Sequence, residues 1–334
     1  MPPMPIMLEP VFEILIEIFV VFIAALLFVN AIEYLGSLFE LGGSFVGAIL
    51  SPLFTSLPEM IVFLVAIFFS GVESGEAIGV GTVFGQPFMA SSLSYGLVGI
   101  SVLLGYHLKR RDDLVLEVDR ELVIPYAVVS IAFPLTLVPA FLGFHKLFGI
   151  LFFLIYVSYI FTMYKNGMGE TLESAEEPYA CRVIPNQKAG GIIQLISSVI
   201  LLYYGSHGLV SSVDEVSRML NISPLGLALI IIPAATAIPE TASALIWSFR
   251  GRDSLSIASL IGEKILYSTF YPAMGLLLTS WTLDVHAYMS VIGTTAISLI
   301  LLYFVAKQRV PWWGLIVGFV FFIVYSVLIF IYHI

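Results

Sequence analysis

The chain has 334 residues, 59% of them hydrophobic and 11% charged, with a formal net charge of −9 and a single cysteine. A soluble domain carries about 25% charged residues, so this composition could not cover a water-facing globule; it reads as an integral membrane protein. The lone Cys181 excludes a disulfide framework and a multi-cysteine metal cluster. The acidic balance sits mostly in short loops and helix ends and points to no nucleic-acid partner.

A helix crosses a bilayer with roughly 20 mostly apolar residues, and ten such stretches follow one another. They lie near 11–35, 41–70, 77–106, 119–142, 146–164, 189–210, 223–249, 254–280, 286–306 and 311–332. Ahead of the first, MPPMPIMLEP has no basic region and is followed by Glu13 and Glu17, unlike a cleaved signal peptide. Short polar turns separate the spans, and one longer linker, 166–188, divides them five and five. The expected fold is all-α and polytopic: a five-helix unit over 1–165, a cytoplasmic linker over 166–188, and a second five-helix unit over 189–334. Cytoplasmic loops hold the excess of Lys and Arg. With both termini outside, the inner ends hold Lys109, Arg110, Arg111, Arg120, Lys165, Arg182, Lys188, Arg250, Arg252, Lys307 and Arg309, against Lys146 and Arg218 outside. This asymmetry predicts a multi-pass plasma-membrane protein with extracytoplasmic termini.

The two units share a motif. Residues 52–59 read PLFTSLPE and residues 233–240 read PAATAIPE, with Pro, Thr, Pro and Glu repeating at an offset of 181. Five spans separate the copies, and an odd number reverses the direction of travel, so the repeats are inverted. The repeated regions extend over 52–90 and 233–267. Inverted repeats with interrupted helices at matching positions mark secondary transporters, with the site near the membrane midplane.

Within a span, P-x-x-T-x-x-P-E gathers oxygen. Pro58 and Pro239 have no N–H, so the carbonyls of Phe54 and Ala235 lose their helical donors; Pro52 and Pro233 act alike one to two turns earlier. Free carbonyls in lipid are tolerated only where they face protein, water or an ion. Thr55 and Glu59 are four apart and share a helical face, as do Thr236 and Glu240. Two such halves facing one another form an oxygen cage of the kind hard cations such as Ca²⁺ prefer. A single copy could be a packing kink with a satisfied acid; two copies in inverted halves favour an ion site.

These residues resemble the calcium/cation antiporter superfamily, whose sodium/calcium exchanger members carry two inverted repeats containing G-T-S-L-P-E. Thr55-Ser56-Leu57-Pro58-Glu59 matches the first copy apart from its leading Gly, replaced by Phe54, and Thr236-Ala237-Ile238-Pro239-Glu240 matches the second at Thr, Pro and Glu. Asn30-Ala31-Ile32-Glu33 and Asp214-Glu215 stand at related places before the motifs, and the aromatic spans ending each half also fit. The resemblance implies that Glu59 and Glu240 bind Ca²⁺ and that Thr55 and Thr236 help form sodium sites; Ser56, beside Thr55, is a further candidate ligand.

After each motif the family's next span reads roughly G-N-x-x-G-S-N-x-x-N/D. Here Gln86 and Glu263 replace the serines, and Ala90 and Tyr267 replace the amide or acid. The coupling ion therefore stays open between Na⁺ and H⁺. Glu59, Glu240 and Glu263 with Lys264 sum to −2 when ionised, which balances one divalent cation. Lys264 has four readings: charge partner at the site, tethered cation in place of a bound sodium, a neighbour that lets a glutamate titrate near neutral pH and so couples transport to protons, or half of a structural Glu–Lys pair. Being adjacent to Glu263 on a helix, it is expected to find its partner on another span. The five histidines show no ligand spacing, and Gly42, Gly43, Gly47, Gly79, Gly81 and Gly85 read as close helix packing.

The expectation is an antiporter exporting Ca²⁺ or a related divalent cation against Na⁺ or H⁺ by alternating access. It needs no cofactor, and its partners are small cations and the bilayer; a monomer suffices, though oligomeric state is open. A proton-coupled Mg²⁺ exchanger and a non-transporting cation sensor on the same fold are the alternatives. An intramembrane enzyme is disfavoured, because HExxH, GxGD and nucleophile-elbow signatures are absent.

Overall fold

Lipid offers no partner to a bare N–H or C=O, so each apolar stretch closes its own hydrogen bonds and becomes a helix. The computed structural model describes residues 4–37, 55–165, 176–236 and 238–332. In chain order the helices that matter are α1 (Met4–Ser37), α2 (Leu57–Phe68), α3 (Gly75–Met89), α4 (Tyr95–His107), α5 (Val123–Leu135), α6 (His145–Lys165), α7 (Gln187–Leu220), α8 (Pro224–Thr236), α9 (Ile238–Phe249), α10 (Asp253–Ser268), α11 (Phe270–Leu278), α12 (Val285–Ala306) and α13 (Trp312–Ile331).

Among the described residues seven helical stretches are long and apolar enough to cross a bilayer, or eight when α8 and α9 count as one bent span. Two of the ten expected spans have a different form. The stretch 41–70 falls partly outside the described residues, and its described part is the 12-residue α2. The stretch 254–280 is two helices that part at Thr269, where φ is −136° and ψ is −71°. Pro272 explains the break. It stands in the first turn of α11, where a missing N–H costs nothing, but it could not have bonded the Ser268 carbonyl in a continuous helix.

The motif prolines act in the same way, as interrupted helices at matching positions predict. Pro58 lies in the first turn of α2, with Ser56 as N-cap and Glu59 in that turn. Pro239 is the second residue of α9. The axes of Pro224–Thr236 and Thr241–Phe249 differ by 61°.

Two 34-residue helices, α1 and α7, pack along one another. The polar segment before α7 is tied to both. Gln194 Nε2 donates to Asn30 Oδ1 and to the Leu27 carbonyl, each at 2.8 Å, and Ala180 N donates to Gln194 Oε1 at 2.9 Å. Helix α3 lies against α8 through backbone contact. A Cβ on Gly81 would stand 2.6 Å from the Leu225 carbonyl oxygen, and one on Gly85 would stand 2.6 Å from that of Leu229. Only glycine permits this approach, which seats Gly85, directly before Gln86, against Leu229 and Pro233 of α8. Gly79 packs instead on Ile67, while Gly42, Gly43 and Gly47 lie outside the described residues.

Between α3 and α4 the helix widens into a π-turn, Ala90–Ser94. One turn ahead of it, Pro87 has no N–H for the Val83 carbonyl. Hydroxyls repair the neighbouring ladder: Ser92 Oγ donates to the Phe88 carbonyl at 2.6 Å, and Ser290 Oγ to that of Phe84 at 2.8 Å.

One end of the bundle is fastened by a small clasp. Strand β1 (Val115–Glu117) pairs antiparallel with β2 (Arg309–Pro311), Leu116 opposite Val310. Beneath it Arg111 reaches Asp253 across 3.0 Å. Its guanidinium also donates to the carbonyls of Ser248, Asp113 and Val115 at 2.8, 2.5 and 3.3 Å, and Glu117 N donates to Asp253 Oδ2 at 3.1 Å.

Candidate cation site

Near the middle of this helical frame lie residues that no soluble core would bury without partners. Glu59 is 3% exposed, and its Oε2 has no hydrogen-bond partner among the described residues. Its companion is Thr236, whose single hydroxyl proton is shared between the Glu59 carboxyl and the Ile232 carbonyl, 3.2 Å away. One residue comes from each motif copy, so the two copies meet. Taking a carboxylate out of water costs several kcal/mol unless charge or hydrogen bonds compensate. One neutral hydroxyl and the backbone N–H of Glu59 itself are thin compensation.

The second acid arrives on α10. Glu263 is buried, and Gln86 Nε2 donates to its Oε2 at 3.3 Å, while Gln86 Oε1 has no partner among the described residues. Tyr267 and Tyr271 stack at 4.2 Å between ring centroids, 8° from parallel, and both stand close enough to Glu59 and Glu263 to feel their charges. The Tyr271 hydroxyl donates to the Ser56 carbonyl, pinning the chain just ahead of α2. Glu59, Thr236, Glu263, Gln86 and Ser56 are thus neighbours in one buried cluster.

Helix ends add to the polarity. Pro233, Ala235 and Thr236 belong to the last turn of α8, where carbonyls lack a donor from their own helix. The negative end of that half-helix dipole therefore adjoins Glu59. The Glu240 carboxyl, Pro52 and Phe54 lie outside the described residues and side chains, and Thr55 is half-buried. Among the described residues no three His, Cys, Asp or Glu side chains converge. A cation here would rely on hydroxyls and carbonyls as well as acids, the mixed oxygen set that Ca²⁺ accepts.

Lys264 does not point at this cluster's acids. Its ammonium donates to Ser298 Oγ at 2.9 Å, and among the described residues no carboxylate oxygen stands within ion-pair distance of it. Its partner is on another span, as its position beside Glu263 predicts. Asp214 bonds the Ser74 hydroxyl and pairs with Arg218, and Glu215 is exposed.

Two contributors escape the motif reading. Tyr271 lies four residues beyond Tyr267, and a second tyrosine at that spacing, just before Pro272, was the available signal. Thr241, directly after Glu240, holds Ser94 of the π-turn at 2.8 Å between hydroxyl oxygens; nothing in its own sequence context marks it.

Fold and site together define a multi-pass, all-α membrane protein with interrupted helices meeting at a buried oxygen-rich centre. The chain belongs to the sodium/calcium exchanger protein family, whose sequence profile matches residues 11–165 and 190–331. No curated protein matches the sequence. Among solved structures the chain resembles an H⁺/Ca²⁺ exchanger, CAX, at a TM-score of 0.74 and 20% identity, covering 96% of this chain and 82% of that one. It resembles YfkE at 0.68 and 15% identity, covering 95% and 91%. It also resembles the sodium-calcium exchanger NCX_Mj soaked with Na⁺ and Sr²⁺, at 0.58 and 18% identity, covering 95% and 97%. At these identities the likeness is one of fold.

Proposed function

We propose that this protein is a secondary active antiporter that exports Ca²⁺, or a related divalent cation, across the plasma membrane in exchange for Na⁺ or H⁺. Glu59 and Glu240 supply the principal carboxylates from opposite halves. Thr55, Ser56 and Thr236, with the carbonyls of Pro52, Phe54, Pro233 and Ala235, complete the shell, and Gln86 and Glu263 stand at its edge. The halves 1–165 and 189–334 form inverted repeats that rock about this centre, with the linker and the basic loops in the cytoplasm. The observation that carries the reading is the meeting of Thr236, from the second motif, with a buried and under-bonded Glu59 from the first. Family membership and the half-helix ends support it.

The test is uptake of radiolabelled Ca²⁺ into proteoliposomes under an imposed Na⁺ gradient and, separately, an imposed H⁺ gradient, with Glu240→Gln beside the native chain. Uptake under either gradient that the variant abolishes is the expected result and names the coupling ion. Absence of uptake under both overturns the calcium reading and passes the same assay to Mg²⁺.

A further inference from the structure

Lys264 is among the largest side chains fully buried in this molecule, and its surface exposure is 0%. An ammonium so placed needs its charge answered. Lysines deep in a bilayer ordinarily reach a carboxylate, line a water-filled cavity or snorkel to the interface. Among the described residues none of the first kind is present. A cage of neutral groups answers the charge instead. Ser298 Oγ, on α12, accepts one N–H at 2.9 Å. The rings of Tyr95, on α4, and Tyr126, on α5, lie 5.2 and 5.9 Å from Nζ, within the roughly 6 Å reach of cation–π attraction. The two tyrosine hydroxyls hold one another at 2.5 Å, which fixes both rings. Ser298, Tyr95 and Tyr126 are each fully buried.

Three helices thus converge, through a hydroxyl and two aromatic faces, on the one positive charge that α10 carries. Such walls suit a singly charged, weakly hydrated cation. They offer no carboxylate to hold a divalent one. We infer that Tyr95, Tyr126 and Ser298 form a monovalent-cation site, of the ammonium or alkylammonium class, that the protein fills permanently with its own Lys264 side chain. The inference rests on this cage alone and stands apart from the exchanger reading. If that reading holds as well, the tethered ammonium takes the place of one mobile cation.

The experiment removes the tether and offers the charge back. Lys264→Ala deletes the atoms of propylammonium, and thermal unfolding of the purified variant in detergent is followed with propylammonium, with propanol as a neutral molecule of the same shape, and with choline as a salt control. Propylammonium is expected to restore at least half of the lost thermal stability, while propanol and choline restore little and the native chain responds to none. Equal restoration by propanol would reduce the site to an apolar cavity and overturn the inference, as would no response to propylammonium in a folded variant. Should Lys264→Ala fail to fold, Tyr95→Leu is compared in the native and Lys264→Met backgrounds. A fivefold or larger coupling in the unfolding constant supports the cage, and additive effects overturn it. Because these readouts report occupancy and not flux, a failed transport assay leaves them intact, and their failure leaves the exchanger reading standing.

Discussion

The clasp at one end of the bundle and the cluster at its centre both bury charge, and they do so in opposite ways. At the clasp, Arg111 makes five hydrogen bonds, two of them to Asp253, and Asp253 takes one more from Glu117 N. Every buried charge there has a fixed opposite. At the centre, among the described residues, Glu59 keeps an oxygen without a partner and Gln86 an acceptor without a donor. Buried polar networks that are fully satisfied make a fold rigid and unique, whereas those left short store unspent affinity. The difference sets a closed network beside an open one, which is what the proposed cation site requires.

That contrast can be broken from either side. The largest effect falls at the clasp. Arg111→Ala leaves Asp253 buried without its cation and should cost about 3–5 kcal/mol of stability, read as a lowered unfolding midpoint in detergent. Cation affinity of the molecules still folded should be unchanged. Glu59→Gln should do the reverse, lowering divalent affinity by about a hundredfold, or roughly 3 kcal/mol, with stability equal to or above that of the native chain. A Glu59→Gln protein that melts early instead would make Glu59 a structural acid and erase the contrast.

Smaller effects sharpen it. Gly85→Ala drives a methyl against the Leu229 carbonyl oxygen and should cost about 1–3 kcal/mol. It should also weaken cation binding, because the same contact seats the residue directly before Gln86. Thr236→Val keeps the shape and removes the hydroxyl, so affinity should fall about fivefold, or ~1 kcal/mol. Isothermal titration of Ca²⁺ on each variant checks both.

Much of this molecule is legible in the sequence because lipid enforces a simple code. The long apolar stretches became helices, and the repeated Pro-Thr-Pro-Glu pattern pointed to Glu59 and Thr236, which meet. What the pattern left open was how proline acts. Pro58, Pro239 and Pro272 could each kink a helix or begin a new one, and packing decides which. The lysine cage was equally out of reach. Tyr95, Tyr126 and Ser298 lie far apart in the chain from Lys264 and carry no shared motif, so only the tertiary arrangement assembles them. Glu263 shows the middle case: its place in the span following the motif marked it, while its bond to Gln86 had to be seen.

The tie between Asn30, Gln194 and the segment ahead of α7 has a mechanical consequence. Because one amide grips both long helices and the incoming chain, α1 and α7 cannot slide past each other without tearing it. Shear between packed helices is one of the few ways a bundle changes shape. Here three hydrogen bonds oppose that freedom along one seam, so α1 and α7 are expected to travel as a single plank. A crosslink joining Asn30→Cys to Gln194→Cys should therefore leave function whole.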